Sequence, residues 1–233
     1  MAITTSETGE APRVSQNTYL KTSFLEALAH ELRGPSGVTL GALDELELAL
    51  GDAAQAHASL FAMARRGVRR VLRTTDRLSR SAQLELSGLS LTLDETDLSA
   101  LLERASHDAE LVEARRGVKL DITRPAEPVL VRVDATWLSA AISEVVAAAL
   151  RAAKRSVLVE LQQSGDSYRV IICDDGPIAS LPRLRRFEPS DDRRDAGLAF
   201  PLVKEVIDAH RGELSLRNGE TAGLLCVITL PAQ

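Results

Sequence analysis

Apolar residues recur at spacings of three and four over residues 17–50 and again over 53–86, the period of a helix with one buried stripe. Only Gly51, Asp52 and Ala53 separate the two runs, so the predicted helices fold back as an antiparallel hairpin. Residues 1–16 lack this period and are expected to form a flexible tail. In the second helix the expected seam is Leu60, Ala64, Val68, Val71, Leu78 and Ala82, interrupted by Thr75. A lone hairpin cannot bury such a seam. Two copies packed as a four-helix bundle would, which makes a homodimer the expected state.

At residues 87–97 the pattern changes to alternation, with Leu89, Leu91 and Leu93 set among polar residues, and predicts a short strand at a domain boundary. Beyond it the periods predict helices at 97–115, 135–153 and 197–210, and strands at 117–123, 129–133, 156–162, 168–173, 213–218 and 223–230. Residues 175–195 are predicted irregular. Helices interleaved with short strands in this way imply an α/β sandwich, its helices covering one face of a mixed sheet. The fold class expected is thus α + α/β: a hairpin domain over 17–88 and a sandwich over 89–233.

Composition narrows the function. The 233 residues are 45% apolar, 26% charged and only 3% aromatic, with a formal charge of -5. This describes a folded protein with an Ala/Leu/Val core and without the concentrated positive footprint of a nucleic-acid binder. Residues 1–16 carry acids and polar groups where a secretory segment has an apolar core, and no run approaches the ~20 apolar residues of a membrane span. A cytoplasmic location without membrane insertion is expected. Cys173 and Cys226 each sit inside an apolar run and are expected to be reduced core residues.

The candidate chemistry lies in "SFLEALAHELRGPSG", residues 23–37. On a helix His30 lies about 200° from Leu28 and about 160° from Leu32, so the Leu25, Leu28, Leu32 stripe points away from it and the imidazole is expected to be exposed. An exposed imidazole can accept or donate a phosphoryl group when a neighbour fixes its tautomer. Glu31 is placed to orient the ring, and Arg33 to attract a phosphoryl group or an acidic partner. Taken alone, these residues favour an ordinary surface histidine. Zinc is excluded: a His-Glu-x-x-His site needs a histidine where Gly34 stands. Pro35 is expected to bend the helix.

The stretch "FLEALAHELRGP" resembles the phospho-acceptor box of sensor histidine kinases. Further partial boxes follow in family order: "RLSRSAQLELSG", "LDETDLSALLERA", "VRVDATWLSAAISEVVAAALRAAK", "VIICDDGP", "FEPSD" and "AGLAFPLVKEVIDAHRGELSLRNGE". The resemblance spans nearly all of residues 20–230. It implies a dimeric helical bundle bearing a phosphorylated His30, an ATP-binding domain of the Bergerat type, and transfer of the phosphoryl group to a receiver aspartate of a response regulator. An upstream sensor protein is a further implied partner.

The nucleotide half departs from the family pattern. Glu144 holds the first polar position of the asparagine box, but Ala148 stands where the Mg²⁺-holding asparagine belongs and has no oxygen to offer a hard cation. Asp174 and Gly176 resemble the adenine-recognising pair, while Ile178 follows Pro177 where another glycine is usual. Gly197 is kept, and Ala199 replaces a phosphate-side glycine. ATP and Mg²⁺ are the cofactors the resemblance implies, and these losses remove both charge neutralisation and positioning from phosphoryl transfer. Impaired or absent autophosphorylation is the expectation, beside an active kinase and a non-catalytic scaffold as alternatives. One turn after His30, Gly34 offers no side chain to orient a water for dephosphorylating a receiver. Finally, Arg65, Arg66, Arg69, Arg70, Arg73, Arg77 and Arg80 face one acid, Asp76, along the second helix. This stripe is either a solvated face balanced by acids such as Glu45 and Glu47 or a docking surface for an acidic receiver.

Overall fold

The structure, a computed structural model, describes residues 16–113, 117–178, 181–182, 184, 199–219 and 222–232, without the side chains of 16–22 and 85–87. Helix α1 (Gln16–Leu50) and helix α2 (Ala58–Ser87) form the antiparallel hairpin, joined by a 3-10 turn at Gly51–His57 rather than by a bare loop. Ion pairs fix the hairpin's register: Arg33 reaches Asp76 at 2.9 Å, and Arg65 reaches Asp44 at 2.7 Å and also Glu47. Helix α1 continues through Pro35. The Pro35 carbonyl accepts from the Thr39 hydroxyl at 2.8 Å.

Within the single chain the hairpin's own contact buries Phe61, Thr75, Ser81 and Ala82 of α2, while Leu60 and Val71, predicted for the seam that a second copy would cover, are 55% and 43% exposed. In α1 the buried positions are Ala29 and Ser36, and the leucine stripe opposite His30 is uncovered, with Leu28 37% and Leu32 39% exposed. The physical reason is width. One partner helix covers a narrow stripe, and small residues sit where two backbones approach; the larger residues flank that contact and stay open in a single chain.

The second half contains strands β1 (Asp94–Asp97), β2 (Lys119–Thr123), β3 (Leu130–Val133), β4 (Ser156–Ser164), β5 (Ser167–Asp174), β6 (Glu213–Asn218) and β7 (Leu224–Pro231). Its helices are α3 (Leu98–Glu113), α4 (Ala135–Ala152) and α5 (Ala199–Ala209). The five-stranded sheet has order β2-β4-β5-β7-β6, parallel only between β2 and β4. Alternate residues Val157, Val159 and Leu161, Val170 and Ile172, and Cys226, Ile228 and Leu230 are buried, giving the sheet one core face. Leu101, Leu102, Leu138, Ile142, Val145, Val203 and Ile207 of the three helices join them in one cluster.

Two predicted elements move. The alternating Leu89, Leu91 and Leu93 form no strand; β1 begins at Asp94, where β3 offers an antiparallel partner from Asp94↔Val133 to Asp97↔Leu130. Alternation gives a face, but pairing requires a neighbour. The predicted helix at 197–210 is described from Ala199, and Gly197 with most of the irregular stretch lies outside the described residues. Helix α4 is, by length and composition, apolar enough to cross a bilayer, yet Leu138, Ile142, Val145 and Leu150 are buried under the sheet's core face.

Candidate functional site

His30 lies mid-helix on α1 and is exposed, as are Glu31 and Arg33. Helical spacing puts Arg33 nearly one turn beyond His30 on the same side. Arg33 is not a free cation, since it donates to Asp76 Oδ1 at 2.9 Å. That contact also sets His30 level with the turn of α2 that carries Arg77 and Arg80. A Cβ added at Gly34 meets nothing within 4 Å, so its surface is open as well as featureless.

Glu144, Asp174 and Gly176 are all described, and among the described residues the cleft that Glu144 lines includes neither Asp174 nor Gly176. Glu144 on α4 is buried and accepts from Arg77 of α2, with Arg77 Nε at 2.7 Å from Oε2 and Nη2 against the same oxygen. Both side chains are 10% exposed. Beside this pair, Glu113 at the end of α3 takes Arg151 of α4 at 2.9 Å and Arg73 of α2 at 3.5 Å. Burial lowers the Arg73 pKa against the attraction of Glu144 and Glu113. On α4, Glu144 is thus held by Arg77 of the hairpin, and Arg151, seven residues on, by Glu113 of α3, which Arg73 of the hairpin also approaches.

Asp174 ends β5 and is buried. Gly176 N donates to its Oδ1 at 2.7 Å and Leu224 N to its Oδ2 at 3.2 Å. Burial holds its carboxyl above the usual range, opposed by those two donors. The strand end is further tied by Gly223 N donating to Gly176 O at 2.8 Å. Space is tight here: a Cβ on Gly176 would stand 2.5 Å from the Ala152 carbonyl oxygen at the end of α4. Asp175 accepts from the backbone N–H of Lys154, Arg155 and Ser156 at 2.7–3.3 Å and closes the α4–β4 turn. These donors, led by Arg155, hold its carboxyl below the usual range.

The arginine stripe has a role that sequence reasoning missed. Arg65 pairs within the hairpin, while Arg69 donates to the Leu111 carbonyl at 3.3 Å, Arg73 and Arg77 meet the acids above, and Arg80 lies 5.7 Å from the Trp137 ring centroid. Most of the stripe faces the chain's own second half and not an outside partner. The signal was present in part: 65, 69, 73, 77 and 80 share one helix face, with 66 and 70 set apart from it. What the sequence could not supply was the opposing surface, because Glu144 is 67 residues from Arg77. Between α2, α3 and α4 a cleft of about 590 Å³ remains, lined by Glu144 but by neither Asp174 nor Gly176.

Known proteins share this architecture. Residues 133–233 match the family described as histidine kinase-, DNA gyrase B- and HSP90-like ATPase. Among curated relatives, the sensor protein SphS of Synechococcus elongatus is 31% identical over 86% of this chain and 52% of its own length. The sensor protein KdpD of Escherichia coli is 23% identical over 100% of this chain and 27% of its own. The chain thus spans only part of these relatives. Among solved structures, full-length ShkA in complex with AMPPNP has a TM-score of 0.62 at 21% identity, covering 90% of this chain and 46% of that one. The mycobacterial sensor histidine kinase MprB has a TM-score of 0.52 at 24% identity, covering 60% of this chain and 97% of its own.

Proposed function

This chain is a divergent sensor-histidine-kinase-like protein, a helical hairpin followed by a Bergerat-type ATPase fold, and on that premise we propose that His30 exchanges a phosphoryl group with a receiver aspartate of a response regulator. ATP-dependent autophosphorylation is impaired or absent in this reading. The observation that carries it is the fate of Glu144. The one polar residue left in the metal-binding box is buried against Arg77, Ala148 has no ligand to give, and His30 remains open on the hairpin.

The chemistry asks little of the chain. One ring nitrogen of His30 attacks the phosphorus of a receiver acyl phosphate, the P–O bond to the aspartate breaks, and the carboxylate leaves; the reverse step returns the phosphoryl group. Glu31 orients the ring by accepting from its other nitrogen, and Arg33, shared with Asp76, stabilises charge on the transferring oxygens. Asp174 and Gly176 are present, and each Asp174 oxygen, with one backbone donor, keeps a further acceptor site. The residues fit Mg²⁺ poorly, because Ala148 stands where the asparagine would hold the cation. No step is therefore routed through ATP.

The division at residues 88/89, a cytoplasmic site of action and a homodimer belong to the same proposal. Exposed Phe24, Leu28 and Leu32 on α1, with Leu60, Met63 and Val71 on α2, supply apolar surface for the second copy. Phosphotransfer tests the reading: a receiver phosphorylated with acetyl phosphate passes label to the wild-type chain and not to His30→Gln. Label from radioactive ATP with Mg²⁺ on wild type, absent in His30→Gln, would instead establish an active kinase. Unlabelled His30 with receiver binding intact in His30→Ala would leave a scaffold.

A further inference from the structure

We propose that the cleft between α2, α3 and α4 is a binding site for a short polyphosphate chain, held by arginines and without a divalent cation. The chain as a whole carries a charge of -5, yet five arginines line this cleft against Asp76, Asp108 and Glu144. Two of those acids are already paired, Asp76 with Arg33 outside the cleft and Glu144 with Arg77 within it, which leaves Arg69, Arg73, Arg80 and Arg104 against Asp108.

Arg73 supplies the pointer to a ligand. Its Nη1 is buried and has no hydrogen-bond partner, and Glu113 at 3.5 Å is too distant to serve as one. Arg73 lines the cleft, and a small turn of its side chain would bring this unsatisfied N–H to an anion there. Arg80 on the same helix and Arg104 on α3 approach from two sides, and Ser139 and Ser143 on α4 add hydroxyl donors to the lining. Among the described residues Arg104 forms no ion pair.

Shape selects within the anions. A volume of about 590 Å³ exceeds what one phosphate fills, and cationic groups spread over two helices match charges spread along two or three linked phosphates. Because the neutralising charge is supplied by side chains, the absence of a metal-holding asparagine at Ala148 does not matter to this site. Free polyphosphate and the phosphates of a nucleotide share the chemistry the site reads, a chain of phosphoanhydrides. The site does not depend on His30 chemistry.

Trp137, the only tryptophan, lies under Arg80 and reports on the cleft. The test is titration of the full chain with tripolyphosphate in EDTA, followed by Trp137 fluorescence and calorimetry, with sulfate, ATP and adenosine in parallel. Saturable binding is expected, with tripolyphosphate and ATP comparable, adenosine silent, and sulfate weaker by about tenfold or more. Exposed Arg104→Ser should weaken binding about tenfold, since a charged hydrogen-bond partner is lost. Asp108→Asn should tighten binding, and His30→Gln should leave it unchanged. The proposal is overturned by no saturable binding, by sulfate equalling tripolyphosphate, by ATP binding without tripolyphosphate, or by unchanged affinity in both Arg104→Ser and Arg80→Ser. Arg104→Ser and Arg80→Ser change partly exposed side chains, so they keep the test valid even if the buried Arg73→Ala variant does not fold.

Discussion

The Arg77–Glu144 pair gives the sharpest quantitative test of how the two halves are joined. Both side chains are only 10% exposed, and both Nε and Nη2 of Arg77 meet one carboxylate oxygen. Truncating one member leaves the other charged, buried and unpaired, a loss of about 3–5 kcal/mol. Nearby charges trim this figure: with Arg77 removed, Glu144 keeps the attraction of Arg73. About 3 kcal/mol is thus expected for either Arg77→Ala or Glu144→Ala. The double variant Arg77→Met/Glu144→Leu removes both charges and refills the volume, so it should lose less than either single change.

Urea denaturation of the four proteins supplies the cycle, read at one salt concentration and again at high salt. The expected coupling is about 2–3 kcal/mol, and it should persist at about 1 M salt because the pair is in contact and shielded from solvent. The location also predicts how the loss appears. Because α2 and α4 belong to different halves, the single variants should separate one unfolding transition into two, with the hairpin and the sheet losing structure at different urea concentrations. Single changes that add within about 0.5 kcal/mol, or a coupling that vanishes with salt, would refute the buried clamp.

Three further outcomes follow from local geometry. Gly176→Ala puts a methyl group 2.5 Å from the Ala152 carbonyl oxygen and should cost about 1–3 kcal/mol by thermal or urea unfolding, whereas Gly34→Ala, in open helix surface, should be neutral or gain up to about 1 kcal/mol. Asp175 is held below its ordinary pKa, so its contribution is present above the unfolded value near 3.9 and is lost as pH falls through the folded one. The melting-temperature gap between wild type and Asp175→Asn should be constant at neutral pH and shrink in acid below about pH 4; a flat gap would contradict the turn-capping role. Burial pushes the Cys226 thiol up to about 12, so a thiol reagent at neutral pH should leave it unmodified until the chain is denatured.

What the sequence makes legible here is whatever depends on a residue's own neighbours in the chain. Helical and strand periods place α1 to α5 and the five strands of the sheet to within a few residues, and His30 is exposed as expected, although the buried positions of its helix are Ala29 and Ser36 and not the Leu28 and Leu32 stripe. The one misplaced element has a physical cause: Leu89, Leu91 and Leu93 alternate without pairing, because β3 is in register only from Asp94. What the sequence could not show is the partner of each buried carboxylate, Glu144 meeting Arg77 of another helix and Asp174 accepting from the backbone of Gly176 and Leu224.

This last difference bears on mechanism. A carboxylate that has lost its metal-site neighbour is costly to leave buried, and it is retained only where some other cation satisfies it. Arg77 supplies such a cation for Glu144, and under the proposed function this pair and the missing oxygen ligand at Ala148 belong together. The same contact draws Arg73 and Arg80 to the edge of a cleft at the level of His30. On this reasoning restoring asparagine at Ala148 alone should not restore nucleotide hydrolysis or autophosphorylation, since Glu144 stays with Arg77. Pairing Ala148→Asn with Arg77→Ala frees the carboxylate at the cost of the clamp, and ATP-dependent labelling of His30 by the single change alone would break the link between the two departures.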